Sequence, residues 1–337
     1  MAGTGQPMKA MVYDSKGTDY MRWVDKFPSR QPAYKEIKVQ VKSVALNPID
    51  YKIPTFPIIR SFRHKQPVAV DFCGEVTSVG EGVDSQFRVG DMVFGMSETG
   101  ALCDTCTVHI DNVCLLPPNI KPEDGAAYPS AVLTAIQALR HARAEGIAGK
   151  GKEILVIGAS GGVGHFVVQL AKKYGAKVTA VSSSRNALFV KELGAEDVLE
   201  YNKPGFDCAS QAGIGEYDSV IDLVSHPGGP DYEAQAMKTL KPGSDSVYVA
   251  TTTAHNWQWI PAILSKVGLP VQKANYHLMM IDHPTSRTDV RKMVELVSEG
   301  SLKAHVYKRY PFTDFGVREA FKQLETMRVV GRVLVEM

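Results

Sequence analysis

The sequence predicts an α/β chain in which a doubly wound parallel sheet is joined to a mainly antiparallel β domain. Three observations carry that prediction. Residues Ile154 to Gly164 read as an apolar strand running straight into a glycine-dense turn that opens a helix. From Tyr128 onward, long helical patterns alternate with short apolar strands, the signature of a parallel sheet covered by helices. The first 125 residues differ: short alternating runs are broken by Gly, Pro and Asp clusters, as in an irregular β domain.

Taken in order, the first part offers strands at Ile37 to Val44, Cys73 to Val79 and Asp91 to Gly95. The middle offers strands at 154–157, 177–181, 198–201, 218–223 and 246–250, with a sixth at 271–276. Its helices end at Gly175, at Gly194 and at Lys241-Pro242-Gly243, residues that cannot easily continue a helix. Beyond residue 282 a helix places Val290, Met293, Val294 and Val297 on one face and leads to a β run, Ala304 to Tyr310. A further helix carries Val317, Ala320, Phe321 and Leu324, and the chain closes on a strand from Arg332 to Glu336. The expected division is a β domain at 1–127, a dinucleotide-binding domain at 128–282 and a return segment at 283–337 that completes the first.

The glycine turn implies a bound dinucleotide. Gly161, Gly162 and Gly164 leave the backbone without Cβ atoms where a pyrophosphate approaches the N–H groups of a helix N-terminus. Ala159 stands where the first glycine of the usual pattern would be, in the order AxxGVG. The context agrees on both sides. Glu153 to Ile157 suits a buried strand, while Val163, Phe166, Val167, Leu170 and Ala171 recur at helical spacing. With the strand at Lys177 to Val181 this makes one strand-helix-strand unit of about 30 residues.

The end of that second strand selects the cofactor. An enzyme that uses NAD places Asp or Glu there to accept from the ribose 2'-OH. Here the segment is Ser182, Ser183, Ser184, Arg185, Asn186, and Arg185 suits a 2'-phosphate through paired, charge-assisted bonds. NADPH is therefore expected over NADH.

With 337 residues, 44% of them hydrophobic and 22% charged, the chain can bury a large core. A net charge of +2 argues against a nucleic-acid partner, and no apolar run reaches the ~18 residues of a membrane span. The N-terminus lacks a signal-type apolar core, and five cysteines suit free thiols better than a disulfide framework. A soluble protein of a reducing compartment, the cytoplasm, is expected, and peripheral membrane association stays compatible with the sequence.

Several linked motifs then resemble the medium-chain dehydrogenase/reductase superfamily, and within it the zinc-free, zeta-crystallin-like quinone oxidoreductase group. They are Leu46-Asn47-Pro48-Ile49-Asp50, Asp71-Phe72-Cys73-Gly74-Glu75-Val76, Val89 to Gly95, Pro129 to Ala135, the AxxGVG turn and Val330-Gly331-Arg332. The segments from Ser160 through His165 to Arg185-Asn186 and Leu193-Gly194-Ala195 look most like the plant quinone-oxidoreductase-like branch. The resemblance implies a GroES-like catalytic domain beside a Rossmann domain, with NADPH held by Ser160, Gly161, Gly162, Val163, Gly164, Ser182, Arg185 and Asn186. It adds Thr134 at the nicotinamide end, Tyr201 over the 2'-phosphate, and Arg332.

Superfamily alcohol dehydrogenases hold a catalytic zinc through Cys, His and Cys. The aligned positions here fall at Asn47, around Asp71-Phe72 and around Ser130-Ala131, which is not a soft ligand set. Cys103, Cys106, His109 and Cys114 could be read as a structural zinc lobe. Against it, Leu102 to Val108 aligns with an unbroken strand in zinc-free relatives, and residues three apart on a strand face opposite ways. No metal is expected.

The resemblance places Asn47, Asp50, Tyr51 and Lys52 beside the nicotinamide. The Asn47 amide is the expected polarising donor and Tyr51 a pocket wall or donor, while Asp50 reads equally as the cap of a short helix. Enoyl-thioester reductases of the superfamily carry a tyrosine farther along, where this chain has Thr55, Phe56 and Pro57. Phe56 and Phe62 with Arg60 and Arg63 would instead form an apolar, basic-rimmed mouth for a quinone ring. The expected activity is hydride transfer from NADPH to a quinone or an α,β-unsaturated carbonyl. A non-catalytic NADPH-binding scaffold, crystallin-like, uses the same motifs and stays open. The resemblance also implies a homodimer, paired through the last Rossmann strand near Val271 to Tyr276.

Overall fold

The computed structural model describes residues 6–14, 20–52, 63–83, 85–226, 228–243, 245–253, 275–279 and 287–337. The chain divides into two compact units. The first comprises residues 1–130, 284–300 and 304–337, the second residues 131–283 and 301–303.

In chain order the first unit begins with strands β1 (Met8–Tyr13), β2 (Met21–Phe27) and β3 (Glu36–Leu46), followed by helix α1 (Pro48–Lys52). Then come β4 (Asp71–Val79), β5 (Met92–Met96), β6 (Thr105–His109), β7 (Val113–Leu115) and the short helix α2 (Pro122–Gly125). Helix α3 (Pro129–His141) starts in the first unit and continues into the second, whose elements are β8 (Glu153–Ile157), α4 (Gly164–Lys173), β9 (Lys177–Ser182) and α5 (Ala187–Leu193). These are followed by β10 (Asp197–Glu200), α6 (Cys208–Ala212), β11 (Ser219–Asp222), α7 (Glu233–Ala236), β12 (Val247–Ala250) and β13 (Tyr276–Leu278). The chain returns to the first unit with α8 (Arg287–Ser298), β14 (Val306–Pro311), α9 (Asp314–Glu325) and β15 (Arg332–Glu336).

The first unit is organised on β3. Ile37, Val39 and Val41 point inward with period two, and from Val44 to Leu46 both faces are buried. One edge of β3 pairs with β4; the other pairs with β6 at its start and with β15 at its end. The sheet runs β14-β15-β3-β4-β5-β7 and is mixed rather than purely antiparallel, because β14 and β15 are parallel. Its core joins Ile37, Val39, Phe72, Val76 and Val93 to Val317, Ala320, Phe321 and Leu324 of α9, the face expected of that helix. In α8 the buried face is Val290, Met293, Leu296 and Val297, with Val294 only half-buried, so Leu296 takes the place expected for Val294.

The second unit holds a six-stranded sheet in the order β10-β9-β8-β11-β12-β13, with every pair parallel. Strand order reverses between β8 and β11, the point where parallel α/β sheets open a ligand crevice at the carboxyl ends of their strands. Leu155, Ile157, Val220, Tyr248 and Ala250 are among the core residues. The chain leaves α4 through Gly175 at φ +80° and α5 through Gly194 at φ +122°, both in the left-handed region that glycine tolerates. The sixth strand is described from Tyr276, so the 271–274 part of its expected span lies outside the described residues.

Candidate active site

Two polar centres stand out, one in each unit. In the second unit, β8 delivers the chain to Gly158, whose N–H donates to Val181 O at 3.1 Å. Gly158 adopts φ +82°, and Gly161 N closes back on Gly158 O at 3.0 Å. Residues 160–163 are half-buried while β8 and the start of α4 are buried, so the turn meets solvent at the helix N-terminus. A Cβ on Gly164 would meet Gly158 O well inside contact distance and Ala159 Cα at 2.8 Å, which explains why helix and strand approach so closely only with glycine there. On Gly161 a Cβ would find only Gly158 O, at 3.3 Å, so the outer face of the turn is open to a ligand.

His165, to which the sequence assigns no role, locks this turn. Its ring Nδ1 lies 2.9 Å from Gly161 O; a carbonyl only accepts, so Nδ1 carries the proton. The side chain is fully buried beneath the turn. Asn186 Nδ2 donates to Ser160 Oγ at 3.1 Å, joining the glycine turn to the one that follows β9.

That second turn carries the expected 2'-phosphate residues. Ser182 is buried at the end of β9, and Arg185 is exposed on the short helical turn Ser184–Asn186. Ser183 is buried, and its Oγ has no hydrogen-bond partner. An orphaned hydroxyl at a strand end, beside an open helix N-terminus, is the arrangement a polar ligand completes. Tyr201 is 39% exposed and anchored by its own N–H to Ser182 O at 3.1 Å. Thr134 is buried within α3, in the second unit. These residues fit a phosphorylated dinucleotide.

Asp222, also not foreseen, ends β11 on the same carboxyl side of the sheet. Its Oδ1 accepts from Val224 N (2.8 Å) and Ser225 N (3.1 Å), and its Oδ2 from Ser225 Oγ (2.5 Å) and Tyr248 Oη (2.6 Å). Tyr248 stacks on Tyr276 with centroids 5.4 Å apart, so residues of three neighbouring strands are tied together beside the loop after β11. Burial, with the carboxylate beside it, pushes the Tyr248 phenol far up, keeping it a donor.

In the first unit, Asn47, Asp71, Ser130 and Arg332 form one buried cluster. Asn47 Nδ2 donates to Asp71 Oδ2 at 3.0 Å, and its Oδ1 accepts from Arg332 Nη1 at 2.8 Å. Arg332 Nη2 lies 2.7 Å from Asp71 Oδ2. Ser130 N, an uncompensated N–H of the first turn of α3, donates to Asp71 Oδ1 at 3.0 Å, and the Ser130 hydroxyl donates to Oδ2. Asp71 is fully buried and Arg332 only 3% exposed. Arg332, expected at the cofactor, has its fork bonded to Asn47 and Asp71.

The three positions that align with zinc ligands in alcohol dehydrogenases therefore do come together, around a guanidinium. A fixed cation within hydrogen-bond distance of the only carboxylate, with an amide and a hydroxyl for the rest, does not fit a zinc ion. The second candidate for zinc does not assemble either. Leu102–Val108 is not one unbroken strand: β6 begins at Thr105, and Cys103 makes an isolated bridge to Ala10. His109 Nδ1 accepts from Asp111 N at 3.3 Å. All five cysteines are free, and among the described residues no group of three or more His, Cys, Asp or Glu side chains is placed to hold a metal ion.

Asp50 supplies one arm of a capping box on α1: its Oδ2 accepts from Asn47 N at 2.8 Å, with Pro48 in the first helical position, while the Asn47 side chain turns to Asp71 and Arg332 instead. Its Oδ1 is buried without a partner. Burial, reinforced by the Asp71 charge and opposed by the Asn47 N–H, pushes its carboxyl up to about 7. Tyr51 is half-buried against the first unit's core, and burial raises its phenol. Lys52 is half-buried and its amine is lowered by burial. Of the proposed quinone mouth, Phe56, Arg60 and Phe62 lie outside the described residues. Arg63 lies over the Tyr13 ring, 5.8 Å from its centroid.

Comparisons with known proteins agree with this architecture. The family described as alcohol dehydrogenase GroES-like domain matches residues 33–143, and that described as zinc-binding dehydrogenase matches residues 193–335. A chloroplastic quinone-oxidoreductase homolog of Spinacia oleracea is 31% identical, over 98% of this chain and 98% of that protein. A chloroplastic NADPH-dependent alkenal/one oxidoreductase of Arabidopsis thaliana is 30% identical, over 99% of this chain and 81% of that protein. The quinone oxidoreductase structure from Coxiella burnetii superposes with a TM-score of 0.81 at 25% identity, over 98% of this chain and 100% of that one. The chain belongs to the medium-chain dehydrogenase/reductase superfamily, in its quinone-oxidoreductase-like group.

Proposed function

We infer that this protein is an NADPH-dependent, zinc-independent oxidoreductase that delivers hydride to a quinone or to the β-carbon of an α,β-unsaturated carbonyl. The observation that carries the reading is the guanidinium among Asn47, Asp71 and Ser130, which places a fixed cation where metal-dependent relatives need a ligand set. Acceptors that need little activation suit such a site. Bound NADPH supplies the hydride. The amides of the Gly161–Gly164 turn hold the pyrophosphate, and Ser183 and Arg185 meet the 2'-phosphate, with Tyr201 beside them. Arg332 and Asp71 fix the Asn47 carboxamide, one of whose two amide hydrogens goes to Asp71. The other is the donor we assign to the negative charge that develops on the acceptor oxygen. The boundaries 1–127, 128–282 and 283–337 remain our division into catalytic domain, cofactor domain and return segment.

We further propose a homodimer paired through β13, the last strand in the sheet order, and residence in a reducing compartment such as the cytoplasm. Among the described residues no helix is long and apolar enough to cross a membrane. The test is NADPH oxidation by purified protein against benzoquinone, phenanthrenequinone, an alkenal, an alkenone and a crotonyl thioester, with NADH in parallel. Turnover of the quinones or of the alkenal and alkenone with NADPH, and an Arg185→Ala variant whose KM for NADPH rises at least about tenfold, is the expected result. Tight NADPH binding without turnover of any acceptor would favour the scaffold reading instead.

A further inference from the structure

The sequence places no acid at the end of β9, yet the fold brings one there from the neighbouring strand. Strand β10 runs parallel to β9 and pairs its last residue, Glu200, with Ser182. The carboxylate thus reaches the carboxyl end of the sheet beside the turn that carries Ser183 and Arg185. Its Oε2 accepts the Ser184 hydroxyl at 2.5 Å, and Lys203 Nζ lies 3.2 Å from its Oε1. Asn202 holds the same turn independently, its Oδ1 accepting from Ser184 N at 2.7 Å. The Ser184 hydroxyl and then Lys203 pull the Glu200 carboxyl below the usual range, so it stays ionised.

A 2'-phosphate carries about −1.5 to −2 charge at neutral pH, whereas a ribose 2'-OH carries none. A fixed carboxylate within the ~8 Å Debye length repels the first and is indifferent to the second. We propose that Glu200 sets cofactor selectivity: its negative charge, clasped to Ser184 and partly balanced by Lys203, holds the preference for a 2'-phosphorylated dinucleotide below the level Arg185 alone would give. This inference rests on the reading of NADPH as cofactor. Charge and geometry are separable here, because a neutral amide at position 200 still accepts the Ser184 hydroxyl and Asn202 still holds the turn.

The experiment is calorimetric titration of the full chain with 2',5'-ADP and with 5'-AMP, which differ only by the 2'-phosphate, for the wild type, Glu200→Gln and Glu200→Ala. Both variants are expected to bind 2',5'-ADP about 3- to 10-fold tighter, with 5'-AMP unchanged, and the gain should shrink in high salt. If Glu200→Gln leaves both ligands at wild-type affinity, or Glu200→Ala weakens both equally, Glu200 is only a clasp and the inference is overturned while the cofactor reading stands. A wild type that binds 5'-AMP as tightly as 2',5'-ADP overturns the cofactor reading and this inference with it.

Discussion

Removing the Arg332 side chain would leave Asp71 buried with amide and hydroxyl donors but no compensating charge. Breaking one side of a buried pair typically costs ~3–5 kcal/mol, much more than an exposed pair is worth. Arg332→Met is therefore expected to lose about that much stability in urea denaturation, and Arg332→Lys less, because the charge is kept while the two-pronged contact to Asn47 and Asp71 is lost. A loss under about 1 kcal/mol for the Met variant would show that the cluster does not depend on the guanidinium. Asp50 yields a pH prediction. Its folded carboxyl titrates near 7, against about 4 in an unfolded chain. Between these values the folded state retains a proton that the unfolded state releases. Stability from this group is thus fully present below about pH 4 and lost as pH rises toward 7, with a slope of up to about 1.4 kcal/mol per pH unit. Asp50→Asn mimics the neutral carboxyl and can keep the cap on Asn47, so it should flatten that slope and exceed the wild type in stability at pH 8. A parallel profile for the variant would mean that another group titrates in the window.

At the scale of elements, the β8–α4 turn is tightly constrained. Gly164→Ala puts a Cβ against Gly158 O, a backbone atom that cannot swing aside. The strand and helix must separate by about 1 Å to clear it, at a cost of about 1–3 kcal/mol, and the amides that face the ligand move with them. NADPH affinity should fall at least about tenfold, measured by the change in nicotinamide fluorescence on binding; wild-type affinity would show that the turn does not hold the cofactor. This turn was legible because strand, glycines and helix period are contiguous in sequence. The α9 face and the closing strand at Arg332–Glu336 were legible for the same reason. Glu200, Asp222 and His165 were not. The first two act because parallel register brings the ends of β9, β10, β11 and β12 to one rim, and no local period records that. His165 reads simply as a polar residue in the first turn of a helix, and only the closeness of Gly161 O gives it a role. Cys103 and Cys106 were assigned to one strand, but the chain bends between them and β6 starts later.

The first unit is completed by the last segment of the chain, and truncation tests how far it depends on it. Residues 304–337 supply β14, β15 and α9 to the first unit, with β15 lying between β14 and β3 in the sheet. Deleting them exposes the late edge of β3 and strips Tyr310, Val317, Ala320, Phe321, Leu324, Val333 and Val335 from its core. At roughly 1.5–3 kcal/mol for each large apolar side chain, the upper-bound loss is on the order of 10 kcal/mol, as large as the whole stability of a typical domain. The same cut removes Arg332 and leaves Asp71 without its cation. The second unit keeps its six strands, since all of them precede residue 280. A chain ending at residue 303 should therefore lose hydrogen-exchange protection throughout β3, β4 and β5 while β8, β9, β11 and β12 remain protected. Protection retained in β3 and β4 would show that the first unit stands without its return segment. Loss of protection in both units together would show that they unfold as one cooperative body.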